Sequence, residues 1–351
     1  MNLVIEDKED NGDGDTKTDN LSRIFKIRKP DEPKISEKEI FHIKKVEIRD
    51  MGFAMKNYEA DRELYEEGGI DWNDLDVSDI CLKAKGLMFR DGIMSGELAS
   101  LSFREKSGYR VKEISGSARV GRGKTIVEDL RLDDPWSSLH LPSYIMSYDN
   151  IKAFQDFISL VKIDAEIAGG STIDFRTLSY FAPQLGDNRL KAGISGKASG
   201  TVDDFSMNDL KVASAAGGFS GTINGRMTGI PEIEQTRLTA KIDRFNLTSE
   251  GLGLFLSEWS DGKDIDLGKY AKGHTFMVDA DVDGQLNSLD VNAGIYSLIG
   301  RVQADMKVEG LIDNDTPVGI RGTATTDDLD IGKIISSDLV GPVTLRTGMK
   351  A

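Results

Sequence analysis

The chain has 351 residues, with 44 basic against 59 acidic side chains, a formal net charge of -15, three His and a single Cys. That charge repels phosphate backbones, so nucleic acid is not an expected partner, and one cysteine makes neither an internal disulfide nor a Cys-rich zinc site. No window approaches the roughly 18 to 20 apolar residues of a membrane span. The opening MNLVIEDKEDNGDGD lacks the basic and apolar regions of a signal peptide, so the residues read literally describe a soluble cytoplasmic chain.

Residues 1-35 are polar and acidic, then basic and Pro-containing, with almost no apolar periodicity, and predict a disordered segment or linker. From Ile40 onward short runs alternate with period two, the signature of strands with one dry and one wet face. Leu82 and Ala84 oppose Lys83 and Lys85, and Ile114, Ala118 and Val120 oppose Glu113, Ser117 and Arg119. Three sections are expected: a first β segment over 36-145, a second with short helices over 146-260, and a third over 261-351.

Helical patterning is short and sparse, at Asn150 to Lys162, Phe175 to Phe181, Leu252 to Trp259 and Ile331 to Leu339. Such segments plug the end of a sheet but do not roof it, because covering many strands takes several full-length helices. In the second section Phe219, Ile223 and Met227 share a face with Gly221, Gly225 and Gly229, which suits a bend, a close backbone approach or a non-protein occupant. Leu238, Ala240 and Ile242 follow on the next run. In the third section the dry positions are Val278, Ala280 and Val282, then Val302, Ala304, Met306 and Val308, opposed by Asp, Arg, Gln, Lys and Glu.

A loose repeat joins these sections. VKIDAEIAGGSTIDFRTLSYFAP, RLTAKIDRFNLTSEGLGLFL and GIRGTATTDDLDIGKIIS each run from an alternating strand through a polar turn into a short helical pattern. No unit of that size buries its own core, so stacked units would extend one continuous sheet.

Catalytic and metal motifs are weak. ARVGRGKT, Ala118 to Thr125, fits a permissive phosphate-loop pattern, but a strand-like run rather than a helix follows it, so a hairpin turn is expected. Glu9, Asn11, Asp13 and Asp15 have calcium-loop spacing, yet position twelve is Asn20 and not the bidentate Glu, so solvated linker is the expectation. His42, His140 and His274 are far apart in sequence, and none has a His or Cys at ligand spacing. No nucleophile elbow or cofactor loop appears, so neither an enzyme nor a bound cofactor is expected. Trp136, Leu139, Leu141 and Tyr144 form an aromatic and apolar cluster, expected as a core plug or as a lipid-contacting lip.

The run from Gly69 to Leu141, GIDWNDLDVSDICLKAKGLMFRDGIMSGELASLSFREKSGYRVKEISGSARVGRGKTIVEDLRLDDPWSSLHL, resembles the TamB, AsmA-like translocation and assembly module family. IDAEIAGGSTIDFRTLSYFAPQL and ISGKASGTVDDFSMNDLKVAS carry the same resemblance, which covers the chain from about Ile40 onward. It implies an elongated, curved antiparallel sheet folded into a taco-like groove with an apolar interior. It implies a non-enzymatic part of a periplasmic bridge, anchored in the inner membrane, that carries or shields phospholipid. On this reading the chain is an interior fragment whose membrane contact comes through segments it lacks, and the literal cytoplasmic reading is set aside. The alternative implied is a scaffold that assembles outer-membrane β-barrels with a TamA-like partner, offering sheet edges for strand addition. In the lipid reading the thirteen dry-face positions named above, from Phe219 to Val308, touch acyl chains.

Overall fold

The computed structural model describes residues 2-6, 41-57, 69-181, 183, 189-214, 217-230, 232-251, 273-311, 318-330, 332-333 and 341-350. They form one long, curved sheet. Its strands are β1 (Asn2–Glu6), β2 (Phe41–Lys56), β3 (Asp74–Arg90), β4 (Ile93–Glu105), β5 (Arg110–Val120), β6 (Lys124–Asp133), β7 (Ser138–Ser147) and β8 (Lys162–Asp174). They continue as β9 (Lys191–Gly200), β10 (Asp204–Ser214), β11 (Phe219–Thr228), β12 (Arg237–Thr248), β13 (Thr275–Gln285), β14 (Ser288–Ser297), β15 (Gly300–Glu309), β16 (Gly319–Asp330) and β17 (Pro342–Lys350).

From β2 to β17 each strand pairs antiparallel with the next in sequence, so the sheet is a simple meander. At about 4.8 Å per strand the stack is ~70 Å long, and the turns between strands form two parallel rims. The pairing passes through residues 145 and 260 without interruption, since β7 pairs with β8 and β12 with β13. The linker expected over 1-35 is corrected at one point. Asn2–Glu6 is a strand paired parallel with Gly52 to Lys56, because Leu3, Val4 and Ile5 are β-formers and β2 offers them its outer edge. Residues 7-35, with the proposed calcium loop, lie outside the described residues, as do Leu252 to Trp259 and most of Ile331 to Leu339.

The helical pattern at Asn150 to Lys162 resolves into a 3-10 turn, Ile151–Asp156, and a helix, Phe157–Leu160; the pattern at Phe175 gives a helix over Phe175–Leu178. The three repeat segments are β8, β12 and β16, four strands apart. Each ends at the same rim in helical backbone, capped by the last side chain of the strand or the one before a helical turn. Asp174 Oδ1 accepts from the Arg176 N–H at 3.0 Å, Thr248 Oγ1 from Gly251 at 3.0 Å, and Asp330 Oδ1 from Lys333 at 3.1 Å.

Period two is interrupted at six places in one manner. Asp50, Asp79, Asp129, Asp209, Arg244 and Asp328 lie inside strands with φ between 49° and 54°, and the register slips by one residue at each. The residues bracketing them on the dry face are three apart instead of two: Ile48 and Met51, Val77 and Ile80, Val127 and Leu130, Met207 and Leu210, Ile242 and Phe245, Thr326 and Leu329. These are β-bulges, which bend the strand and increase its twist. Asp tolerates the left-handed region better than most side chains, which explains its repeated use there.

A bulge takes its own N–H out of the ladder and leaves it open to another acceptor. The neighbouring strand supplies it. Asp209 N–H donates to Asn224 Oδ1 at 2.8 Å, Arg244 N–H to Asp279 Oδ1 at 2.7 Å, and Asp328 N–H to Thr344 Oγ1 at 3.1 Å. Glycine sits against several of the bulges: a Cβ on Gly196 would lie 2.7 Å from the Asp209 carbonyl oxygen, and one on Gly300 would lie 2.5 Å from Leu329 Cα.

Candidate functional site

All thirteen dry-face positions fall on one face of the sheet, and the register aligns them into rows across it. Ile223, Ile242, Ala280, Ala293, Ala304 and Ala324 are successive cross-strand partners. A longer row runs from Ala118 through Val127, Tyr144, Ala165, Ala198, Met207, Gly225, Ala240, Val282, Val291 and Met306 to Gly322. It crosses twelve strands, β5 to β16, without a charged side chain. Met227 pairs with Leu238, and Val308 with Leu289 and Ile320. Val278 lies between Phe245 and Ile295, and Ile295 pairs with Val302. Phe219 is buried, with its ring stacked 5.8 Å from that of Phe245.

These rows form a shallow trough. Its small residues are covered by their larger neighbours: Ala280, Ala293, Ala304 and Ala324 are buried, while Ile223, Val282, Val302 and Met306 stay half-exposed. The glycines on this face do not leave room for a ligand. A Cβ on Gly221 would meet the Phe245 ring at 2.5 Å, and one on Gly225 would lie 3.0 Å from the Thr239 carbonyl oxygen. Of the three uses considered for them, close approach of neighbouring strands is the one found. The residues missed in sequence are Leu289, Val291, Ala293 and Ile295 on β14, whose alternation in SLDVNAGIYS was legible, and Leu210 and Phe245, which the bulges shift out of period.

The opposite face is charged, with ion pairs between neighbouring strands. Arg226 meets Asp204 at 2.5 Å, Arg321 meets Glu309 at 2.7 Å, and Arg237 pairs with Asp283. The Arg226 guanidinium holds the Asp204 carboxyl below its usual range. A concavity of about 840 Å³ over β11 to β16 is lined by Lys241, Asp283, Asn292, Asp305 and Lys307 together with Ala240, Val282, Val291 and Met306 of the long row. His140 also points outward, its Nε2 2.6 Å from Asp129 and 3.3 Å from Arg131. Among the described residues no group of three or more His, Cys, Asp or Glu is placed to hold a metal, and no helix is long and apolar enough to cross a membrane.

One rim carries a polar knot that sequence reasoning missed. Asp134 Oδ1 accepts the N–H groups of Trp136 and Ser137, each at 2.7 Å, and its Oδ2 accepts the Thr177 hydroxyl at 2.7 Å. Asp174 N–H donates to Ser137 Oγ at 2.9 Å, which leaves the Ser137 proton for Thr177 Oγ1, 2.7 Å away. Asp134, Ser137, Asp174 and Thr177 are all buried. Burial alone would raise the Asp174 carboxyl, but hydrogen bonds and charge from Arg176 hold it below its ordinary value. Above the knot a chain of rings runs from Trp136, stacked on Tyr180 at 5.9 Å, through Tyr109 and Phe181 to Trp72. Burial, with the charge of Asp134, pushes the Tyr109 phenol up to about 12.

The structure thus divides the expected aromatic cluster. Trp136 belongs to this rim plug, whereas Leu139, Leu141 and Tyr144 lie on the trough floor opposite Leu132, Leu130 and Val127. ARVGRGKT is a hairpin turn: β5 ends at Val120, and Gly121 N–H donates to the Lys124 carbonyl at 2.8 Å. Comparison with protein-family models, curated proteins and solved structures found no match to the chain.

Proposed function

We propose that the apolar trough carries or shields phospholipid acyl chains, as part of a bridge-like periplasmic protein between inner and outer membrane. The observation that supports this reading is the uncharged row across twelve strands, from Ala118 to Gly322. An acyl chain in water costs on the order of 0.8 kcal/mol per methylene, so a continuous apolar floor lowers the barrier along its whole length. Many weak contacts from Val, Ala, Ile and Met let a chain slide, where one deep pocket would hold it. No chemical step is required, and the thirteen trough residues act by contact alone.

The test is native mass spectrometry with lipid extraction on the chain exported in a Gram-negative host. Phospholipid is expected to copurify, and to be lost in Ile223→Asp and Val282→Asp while circular dichroism stays β-rich. Both sites are half-exposed, so a charge there spoils the floor without burial of the new carboxylate. A folded, β-rich protein free of lipid would sink the proposal and favour the assembly scaffold with a TamA-like partner.

A further inference from the structure

The β3–β4 turn has apolar side chains on both faces of the sheet. Phe89 and Met94 are cross-strand partners, and Met94 pairs with Val120, which places them at the end of the trough face. Arg90 and Ile93 are partners on the other face, with Met88 two residues from Arg90 on the same side. That face also carries the Ile126–Ile145 and Met277–Tyr296 pairs among its charged side chains. The four apolar side chains are 37%, 38%, 48% and 52% exposed for Met88, Phe89, Ile93 and Met94. A one-faced apolar strand is explained by a one-faced trough, but a hairpin tip apolar on both sides suits immersion of the tip in an apolar phase.

The surroundings identify that phase. Residues 88-94 and 119-124 hold Arg90, Arg119, Arg122 and Lys124 against one acidic residue, Asp91, in a chain of net charge -15. Arg119 is paired with Glu128 and Arg90 with Asp91, while no carboxylate lies within ion-pair distance of Arg122 or Lys124 among the described residues. The Arg122 side chain is beside the tip, its Nε 3.8 Å from where a Cβ on Gly92 would be. The next turn along this rim also exposes apolar side chains, and there Asp149 and Asp156 balance its lysines. Tyr148 N–H donates to the Gly123 carbonyl at 3.0 Å, and the segment after it exposes Ile151 and Leu160 beside Lys152. Exposed apolar side chains at a tip, with unpaired basic ones on the neighbouring turn, match a phospholipid surface, where the acyl boundary lies next to the phosphates. On the opposite rim the exposed Trp72 and Phe181 lie against each other, and the lysines near them, Lys56 and Lys106, are both paired with Asp74.

We propose that this rim is a membrane-interface contact, with the β3–β4 tip inserted into a phospholipid monolayer and Arg122 and Lys124 on lipid phosphates. The contact belongs to this chain itself and does not depend on what the trough carries.

The experiment is flotation of the full chain with vesicles of phosphatidylethanolamine and phosphatidylglycerol, or of phosphatidylcholine alone. Binding to the first is expected despite the acidic net charge, weakened by salt, and reduced at least about tenfold by Ile93→Asp with Met94→Asp. Arg122→Glu with Lys124→Glu is expected to lower binding to the anionic vesicles by a similar factor and to remove its salt dependence. Lys241→Glu, on the charged face of β12, should bind as wild type. An Ile93→Trp side chain quenched by brominated acyl chains would place the tip in the lipid. No vesicle binding, binding indifferent to the tip variants, or loss of self-association instead of vesicle binding in those variants would each overturn the proposal. Loss of vesicle binding only in Ile223→Asp would assign membrane contact to the trough and overturn it as well. Lipid copurification without vesicle binding would remove this proposal and leave the trough reading standing.

Discussion

The rim around Asp134 and Asp174 and the trough floor across β11 to β16 are held together by different means. At the rim, the buried side chains of Asp134, Ser137 and Thr177 satisfy one another, the Asp174 backbone N–H donates to Ser137, and the buried Asp174 carboxylate is held by Arg176. On the floor, the backbone ladder supplies the hydrogen bonds, and the side chains contribute interchangeable apolar contacts between Ala, Val and Ile. The rim therefore tolerates little change of chemistry, while the floor tolerates changes of apolar shape but not of charge. The comparison separates stability from function: the largest losses of stability are expected at the rim, and the largest losses of lipid on the floor.

The strongest way to break that comparison is at Asp174. Asp174→Ala removes the cap of the Phe175–Leu178 helix and two hydrogen bonds from the Arg176 side chain, at 2.8 and 2.7 Å. It is expected to cost about 2 to 3 kcal/mol, read in urea titrations by Trp fluorescence. Because the folded carboxyl is held below its ordinary value, its contribution is present above the unfolded pKa of about 4 and fades as pH falls through the lower folded value. Wild type and Asp174→Asn should therefore converge in stability in strong acid and separate as the pH rises above that range. A gap independent of pH would assign the effect to packing alone.

Next in size are the bulges. Gly300 has φ of +128° and faces Asp328 and Leu329, so Gly300→Ala is expected to cost about 2 kcal/mol. Gly319→Ala, where nothing lies within 4 Å of an added Cβ, should change stability by under about 0.5 kcal/mol. At the bulge residue itself, Asp209→Val should lose about 1 kcal/mol and Asp209→Gly should be close to neutral, since only the former has a branched side chain at φ 49°. Equal losses in the two would show that the Asp209 side chain, and not its backbone, matters. The smallest effect on stability is expected on the floor. Val291→Ala should leave the melting curve nearly unchanged, and Val291→Asp should remove copurifying lipid with only a modest shift, which would separate the two regions by readout.

Much of the floor could be read from the chain. Val302, Ala304, Met306 and Val308 alternate with charged and polar residues, and a two-residue period assigns faces without any knowledge of partners. β14 was equally readable in SLDVNAGIYS. The bulges were readable only in hindsight, as two polar residues where one was due, in the runs RDM, SDI, EDL, NDL, DRF and DDL. A slip of one residue moves every later side chain to the other face, so period counting fails at those points until a partner strand fixes the register. Nothing in local pattern announced the rim knot, because Asp134 and Thr177 are 43 residues apart and meet only when β7 and β8 pair.

The sequence by itself determined that the chain makes strands with one dry face, that short helices fall after Asn150 and at Phe175, and that most of its charge stays on the wet side. Those are local properties, set by side-chain alternation and backbone preference within a few residues. The tertiary structure alone decided that the dry positions align into an uninterrupted row, that glycines pack against neighbouring strands instead of opening space, and that one hairpin tip is apolar on both faces beside Arg122 and Lys124. Each depends on register between strands and on which turns become neighbours along a rim, and register is a relation between segments that neither segment contains.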